Sequence, residues 1–186
     1  MIPILVPMEV KQLLFLIGPM GSGKSFLGKQ VAEEIGLPFW DLDGRIELEQ
    51  RQTITSIFTK QGEDAFRRIE RDHLRTFLKT EQQGILATGG GTPCFFDNLA
   101  RIKERGVCIY LKTTPETLAQ RLLSESAHRP LLQAYNTKET LSQFLSEMIR
   151  KREQWYLQAD VIFQVPEAPL EATQHLTKFM LQITGH

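Results

Sequence analysis

The chain has 186 residues, 41% of them hydrophobic, and its 22 Lys+Arg balance 22 Asp+Glu for a formal net charge of zero. A chain of this length can bury about 70% of its unfolded surface around one core, so a small disulfide-stapled secreted scaffold is excluded, as is a protein built chiefly to neutralise a polyanion; small-molecule partners are expected, and no nucleic acid. Cys94 and Cys108 stand in no CxxC and beside no histidine pair, and are expected as two buried, reduced thiols.

In chain order, Met1 to Val10 is apolar but lacks a basic leading region and carries Pro3, Pro7 and Glu9, which reads against a signal peptide. No later stretch approaches the roughly 18 apolar residues of a membrane span, so a cytoplasmic protein without membrane association is expected. The apolar run Leu13 to Ile17 predicts a first strand. It leads directly into Gly18-Pro-Met-Gly-Ser-Gly-Lys-Ser25, which matches GxxxxGK[ST] and opens a predicted helix over 24–36. Such a loop turns its backbone amides around a polyphosphate: Gly21 and Gly23 permit the close approach, Lys24 reaches the β- and γ-phosphates, and the Ser25 hydroxyl takes a site on Mg²⁺. The match predicts binding of ATP or GTP.

A second strand is predicted over Phe39 to Leu42, with Asp41 and Asp43 on one side of its carboxyl end because strand side chains alternate. Beside the phosphate loop, Asp41 is the candidate for holding Mg²⁺ and Asp43 for meeting a second substrate's hydroxyl. Helical periods follow over 44–51 and 63–80. In the latter, Arg67, Glu70, Leu74 and Leu78 form a stripe that turns Arg67 and Glu70 toward the sheet, although pairing with Glu63 on the surface also satisfies Arg67. A third strand, Gly84 to Ala87, runs into Gly89-Gly90-Gly91. That run offers backbone amides and room for a ligand ring, or else a tight turn into the next helix.

A helix over 97–105, a strand over Val107 to Leu111 and a helix over 115–123 come next. The segment 124–137, which includes Arg129, has no sustained period and exceeds the usual roughly 2–8 residues between helices; it is either a plain surface loop or a mobile lid. The helix over 138–157 has an apolar stripe, Leu141, Leu145, Met148 and Trp155, interrupted by Arg152. Its guanidinium either enters the cleft or lays its stem on the core with the head in water; if both Arg67 and Arg152 face the cleft, they form a planar trap for a substrate carboxylate. A last strand, Val161 to Val165, and a helix over 169–183 complete the chain. Strand alternating with helix predicts a single three-layer α/β domain over 1–186 with a mostly parallel sheet, whose ligands bind at the carboxyl ends of the strands.

In this order and spacing, GPMGSGKS, DLD with Ile46-Glu47 after it, SIF…GEDAFRRIE, TGGGT, HRPLL and KREQWY resemble the shikimate kinases, of the nucleoside-monophosphate-kinase-like branch of P-loop proteins, from about Leu13 to Tyr156. The resemblance implies an α/β/α P-loop kinase fold with a five-stranded parallel sheet, a shikimate-binding subdomain near 43–72, and a monomer. It implies transfer of the ATP γ-phosphoryl to the 3-hydroxyl of shikimate, on the route to chorismate and the aromatic amino acids. By position, Asp43, Arg67, Gly90 and Arg152 resemble the shikimate-binding residues, with Gly89 and Gly91 beside them; Ser25 and Asp41 resemble the Mg²⁺ site. ATP contacts are implied for Gly21, Ser22, Gly23, Lys24, Ser25 and Phe26, with Arg121 against adenine and Arg129 reaching the phosphates from the lid. Glu70 resembles a carboxylate that orients Arg67, and Asp43 the general base, so that Asp43, Lys24 and Arg129 carry catalysis.

The chain departs from the family at Arg51-Gln-Thr-Ile-Thr-Ser-Ile-Phe, which lacks the usual Gly and acidic flank, and at 165–169, which lacks a basic residue near adenine. A gluconate-type or nucleotide kinase of the same fold is the alternative among enzymes. From another class, the alternative is a catalytically dead nucleotide-binding module, against which the presence of Lys24, Asp43 and Arg129 argues.

Overall fold

A computed structural model describes residues 13–123, 132 and 134–184. The elements run β1 (Leu13–Ile17), α1 (Lys24–Ile35), β2 (Phe39–Asp41), α2 (Leu42–Gln50), α3 (Ile54–Gln61), α4 (Glu63–Thr80), β3 (Gly84–Ala87), a 3₁₀ turn (Thr92–Cys94), α5 (Asn98–Arg105), β4 (Gly106–Lys112), α6 (Pro115–Leu123), α7 (Lys138–Tyr156), β5 (Val161–Gln164) and α8 (Pro169–Thr184). The five strands form one parallel sheet in the order β2-β3-β1-β4-β5. This is a three-layer α/β/α architecture, as the alternation of strand and helix predicts.

Every residue of β1 is buried because helices cover both faces of the sheet. Leu13, Phe15 and Ile17 pack with Leu86, Cys108 and Tyr110 against α2 to α5, through Leu42, Ile46, Phe66, Leu74 and Phe77. Leu14 and Leu16 point the other way and, with Ile85, Ile109 and Leu111, meet Leu27 and Val31 of α1 and Leu176 and Met180 of α8. A separate apolar cluster, including Leu118, Leu122, Leu141 and Leu145, fastens α6 to α7. Because β1 is central, with β3 on one side and β4 on the other, the loop after it emerges where the chain's crossovers diverge, the crevice in which such sheets bind ligands.

Three local expectations are corrected. β2 ends at Asp41, whose side chain accepts a hydrogen bond from the Gly44 amide at 3.1 Å and so caps α2. Asp43 therefore lies in the first turn of a helix and not on a strand beside Asp41. The segment 54–61, between the helices predicted over 44–51 and 63–80, is a further helix, α3, started by Thr53 accepting from the Ser56 amide and by Glu47 accepting from the Ile54 amide at 2.8 Å. Of the two free thiols, Cys108 is buried but Cys94 is only half-buried; burial pushes them up to about 12 and about 11, out of the reactive range. The segment 124–131, with Arg129 and most of the expected lid, lies outside the described residues.

Candidate active site

The phosphate loop leaves β1 and turns through glycines of positive φ to start α1. Gly21 has φ +78°, and a Cβ there would fall 2.8 Å from the Leu122 side chain, since α6 packs over the loop. Lys24 is nearly buried and folds back on its own loop, Nζ donating to the Gly18 and Pro19 carbonyls at 2.9 and 2.8 Å. Ser22 is wholly buried and its Oγ meets no partner among the described residues. The Ser25 hydroxyl, in the first turn of α1, donates to Asp41 Oδ2 at the end of β2, which brings together two hard oxygens. Among the described residues no three His, Cys, Asp or Glu side chains cluster to cage a metal. The Ser25–Asp41 pair fits Mg²⁺, which is commonly held by one or two protein oxygens while phosphates and water complete its shell.

Next to this loop lies a cavity of about 540 Å³. α2 brings Asp43 to it, α4 brings Arg67 and Glu70, the segment after β3 brings Gly89 to Gly91, and α7 brings Arg152. Asp43 and Glu70 both stand over Gly89, where an added Cβ would meet Asp43 Oδ1 at 2.8 Å and Glu70 Oε1 at 2.7 Å. Burial first, then the Glu70 and Asp41 charges, push the Asp43 carboxyl up to about 7, with Lys24 and Arg67 opposing. Its Oδ1 is buried and meets no hydrogen-bond partner among the described residues. A carboxyl so placed is poised to exchange a proton near neutral pH.

Arg67 is 6% exposed. Its Nη1 donates to the wholly buried Glu70 at 2.8 Å and its Nη2 to Glu63 at 3.1 Å, so the pairing with Glu63 exists but does not draw the guanidinium to the surface. The Phe95 ring lies 4.3 Å from the guanidinium carbon. A Cβ on Gly91 would come within 2.6 Å of the same group, so this glycine leaves the room that Arg67 fills. Arg152 opens onto the cavity, and no carboxylate pairs with it among the described residues. Two cations facing one carboxylate proton acceptor in a cavity next to a phosphate loop can hold an anionic substrate and present its hydroxyl to a nucleotide.

Arg121 donates to the Gly21 carbonyl at 3.4 Å, and burial lowers its pKa from the ordinary value with the Glu167 charge opposing. Phe26 turns away from the acceptor cavity: it is 52% exposed and lines a second cavity, of about 450 Å³, between α1 and α8. Sequence reasoning missed several contacts. Thr92 donates to Glu70 Oε1 at 2.6 Å, and Asn98 holds the Thr92 carbonyl at 2.9 Å. Tyr156 donates to the Gly90 carbonyl at 2.6 Å. Thr92 and Tyr156 end the motifs TGGGT and KREQWY, which was the available signal.

The fold and this site define a P-loop kinase, a phosphotransferase that moves a nucleotide's terminal phosphoryl to a small molecule. A protein-family model described as shikimate kinase matches residues 20–181. A shikimate kinase of Azobacteroides pseudotrichonymphae is 40% identical over 150 residues, covering 81% of this chain and 88% of that protein. The crystal structure of shikimate kinase from Bacteroides thetaiotaomicron has a TM-score of 0.82 at 35% identity, covering 90% of this chain and 97% of that one. Shikimate kinase from Acinetobacter baumannii, solved in complex with shikimate, has a TM-score of 0.81 at 34% identity and covers 92% of each chain. The chain belongs to the shikimate kinase family.

Proposed function

We propose that this chain transfers the γ-phosphoryl of ATP to the 3-hydroxyl of shikimate, giving shikimate 3-phosphate and ADP, and that it works as a cytoplasmic monomer. The observation that carries the reading is the single cavity in which Asp43, Arg67 and Arg152 converge beside the phosphate loop. Its volume falls in the usual range of about 300–1,000 Å³ for small-ligand sites. No helix among the described residues is long and apolar enough to cross a membrane.

The loop amides and the N-terminus of α1 receive the phosphates, and Lys24 exchanges the Gly18 and Pro19 carbonyls for phosphate oxygens. Ser25 and Asp41 hold Mg²⁺, which when bound offsets phosphate charge. Arg67 and Arg152 take the substrate carboxylate, and Glu70 keeps the Arg67 plane fixed for paired hydrogen bonds. Asp43 orients the attacking hydroxyl and accepts its proton as the new O–P bond forms and the bond to the β–γ bridging oxygen breaks. A carboxylate raised to about 7 is matched to that task near neutral pH. Coupled ADP-release assays with shikimate, gluconate and AMP in parallel test the reading: turnover with shikimate alone is expected, and equal or faster turnover with gluconate or AMP overturns it.

A further inference from the structure

Three glycines in succession can turn their peptide planes at little steric cost, so something else must decide which way each plane faces. In the run after β3, the two outer carbonyls are held by the chain itself. Gly89 accepts from the Thr92 amide at 3.2 Å and Gly91 from the Cys94 amide at 2.8 Å, the bonds that start the 3₁₀ turn. The middle carbonyl, that of Gly90, is met by the Tyr156 hydroxyl at 2.6 Å. Rotating the Gly90–Gly91 peptide changes only ψ of one glycine and φ of the next. No Cβ resists it.

We propose that Tyr156 is a positioning residue for the phosphoryl acceptor, its buried hydroxyl setting the direction of the Gly90–Gly91 peptide in the wall of the acceptor cavity. The inference rests on the proposed reaction for its kinetic consequences, though not for the geometry. Because the peptide is planar and trans, holding the Gly90 carbonyl toward Tyr156 turns the Gly91 amide the opposite way. That N–H meets no acceptor among the described residues.

The anchor is rigid. Tyr156 is wholly buried, its ring lies 5.1 Å from that of Tyr110, and it is the last residue of α7, one turn beyond Arg152. Burial pushes the phenol far above its ordinary range, so it stays a donor, while the Arg152 charge acts on the same hydroxyl in the opposite sense. Gly90 in turn rests on the phosphate loop, a Cβ there falling 3.3 Å from the Met20 amide nitrogen. One phenol thus joins the helix that carries a substrate arginine to the glycines between the two substrates.

The test compares wild type, Tyr156→Phe and a variant with 4-aminophenylalanine at 156, which returns a donor to the ring's far end. Phe is expected to raise the KM for shikimate about tenfold, the scale of one buried hydrogen bond, while the KM for ATP stays within about twofold. The amino variant should recover most of the shikimate KM. In the ligand-free protein labelled with ¹⁵N-glycine, the Gly91 amide should shift or broaden in the Phe variant alone. A shikimate KM within twofold of wild type, equal losses for both substrates, or an unmoved Gly91 amide overturns the proposal. The amide readout needs no substrate, so it stands apart from the assignment of shikimate, which falls if wild type itself leaves shikimate unphosphorylated.

Discussion

Replacing Asp43 by Asn removes a charge that the fold tolerates poorly, so activity and stability should move in opposite directions. The carboxyl rises from its ordinary 3.8 to about 7, through burial and the charges of Glu70 and Asp41. A raised pKa means that the folded state holds this proton more tightly than the unfolded chain. The contribution to stability is complete below about pH 4 and is lost as pH rises through 7. Three units at about 1.36 kcal/mol each give at most about 4 kcal/mol, and partial solvent access reduces this to the order of 2 kcal/mol. Asp43→Asn should therefore raise the thermal midpoint at pH 8 by about 5 °C for a chain of this size, and by little at pH 4. It should also lower turnover by about 10²–10⁴-fold, with ATP binding nearly intact, because Asn cannot take the hydroxyl proton. In wild type, kcat/KM for shikimate should fall about tenfold per unit below an apparent pKa near 7. Calorimetric melts at the two pH values and a pH–rate profile check the three statements together. Near-normal turnover, or a variant no more stable than wild type at pH 8, would refute the account of Asp43.

Arg67→Lys and Arg152→Lys should each weaken shikimate binding, measured by titration calorimetry, far more than ATP binding, because an ammonium cannot offer the paired in-plane contacts of a guanidinium; equal losses for the two ligands would move these residues out of the acceptor site. Arg67→Lys should also lose the contact with Phe95 and the two-sided pairing with Glu63 and Glu70, and so destabilise the protein more than Arg152→Lys in thermal melts. Gly91→Ala should raise the shikimate KM at least tenfold while leaving that for ATP near wild type, because its Cβ would force the Arg67 guanidinium from its place.

What could be read from the sequence was set by how local each interaction is. The phosphate loop is eight consecutive residues between a strand and a helix, so its pattern carries its chemistry without reference to the rest of the chain. Arg67, Glu70 and Arg152 were legible because a helical period relates them to apolar neighbours on buried faces. α3 escaped because Ile54, Thr55 and Ile57 are β-branched and its eight residues give barely two turns, although Thr53 supplied a start signal. The end of β2 turned on a choice that periodicity does not record, whether the Asp41 carboxylate continues a strand or caps a helix.

The contacts that hold the site in shape are the least legible, since Thr92 reaches Glu70 across 22 positions and Tyr156 reaches Gly90 across 66. No local pattern links such pairs. Topology does: in a parallel sheet each strand ends at the same edge, so the segments after β1, β2 and β3 must emerge side by side whatever their separation in sequence. The reacting groups could be expected to meet on that ground alone. Which hydroxyl would secure them there could not, because that depends on how helices α4 and α7 pack beside the glycine run.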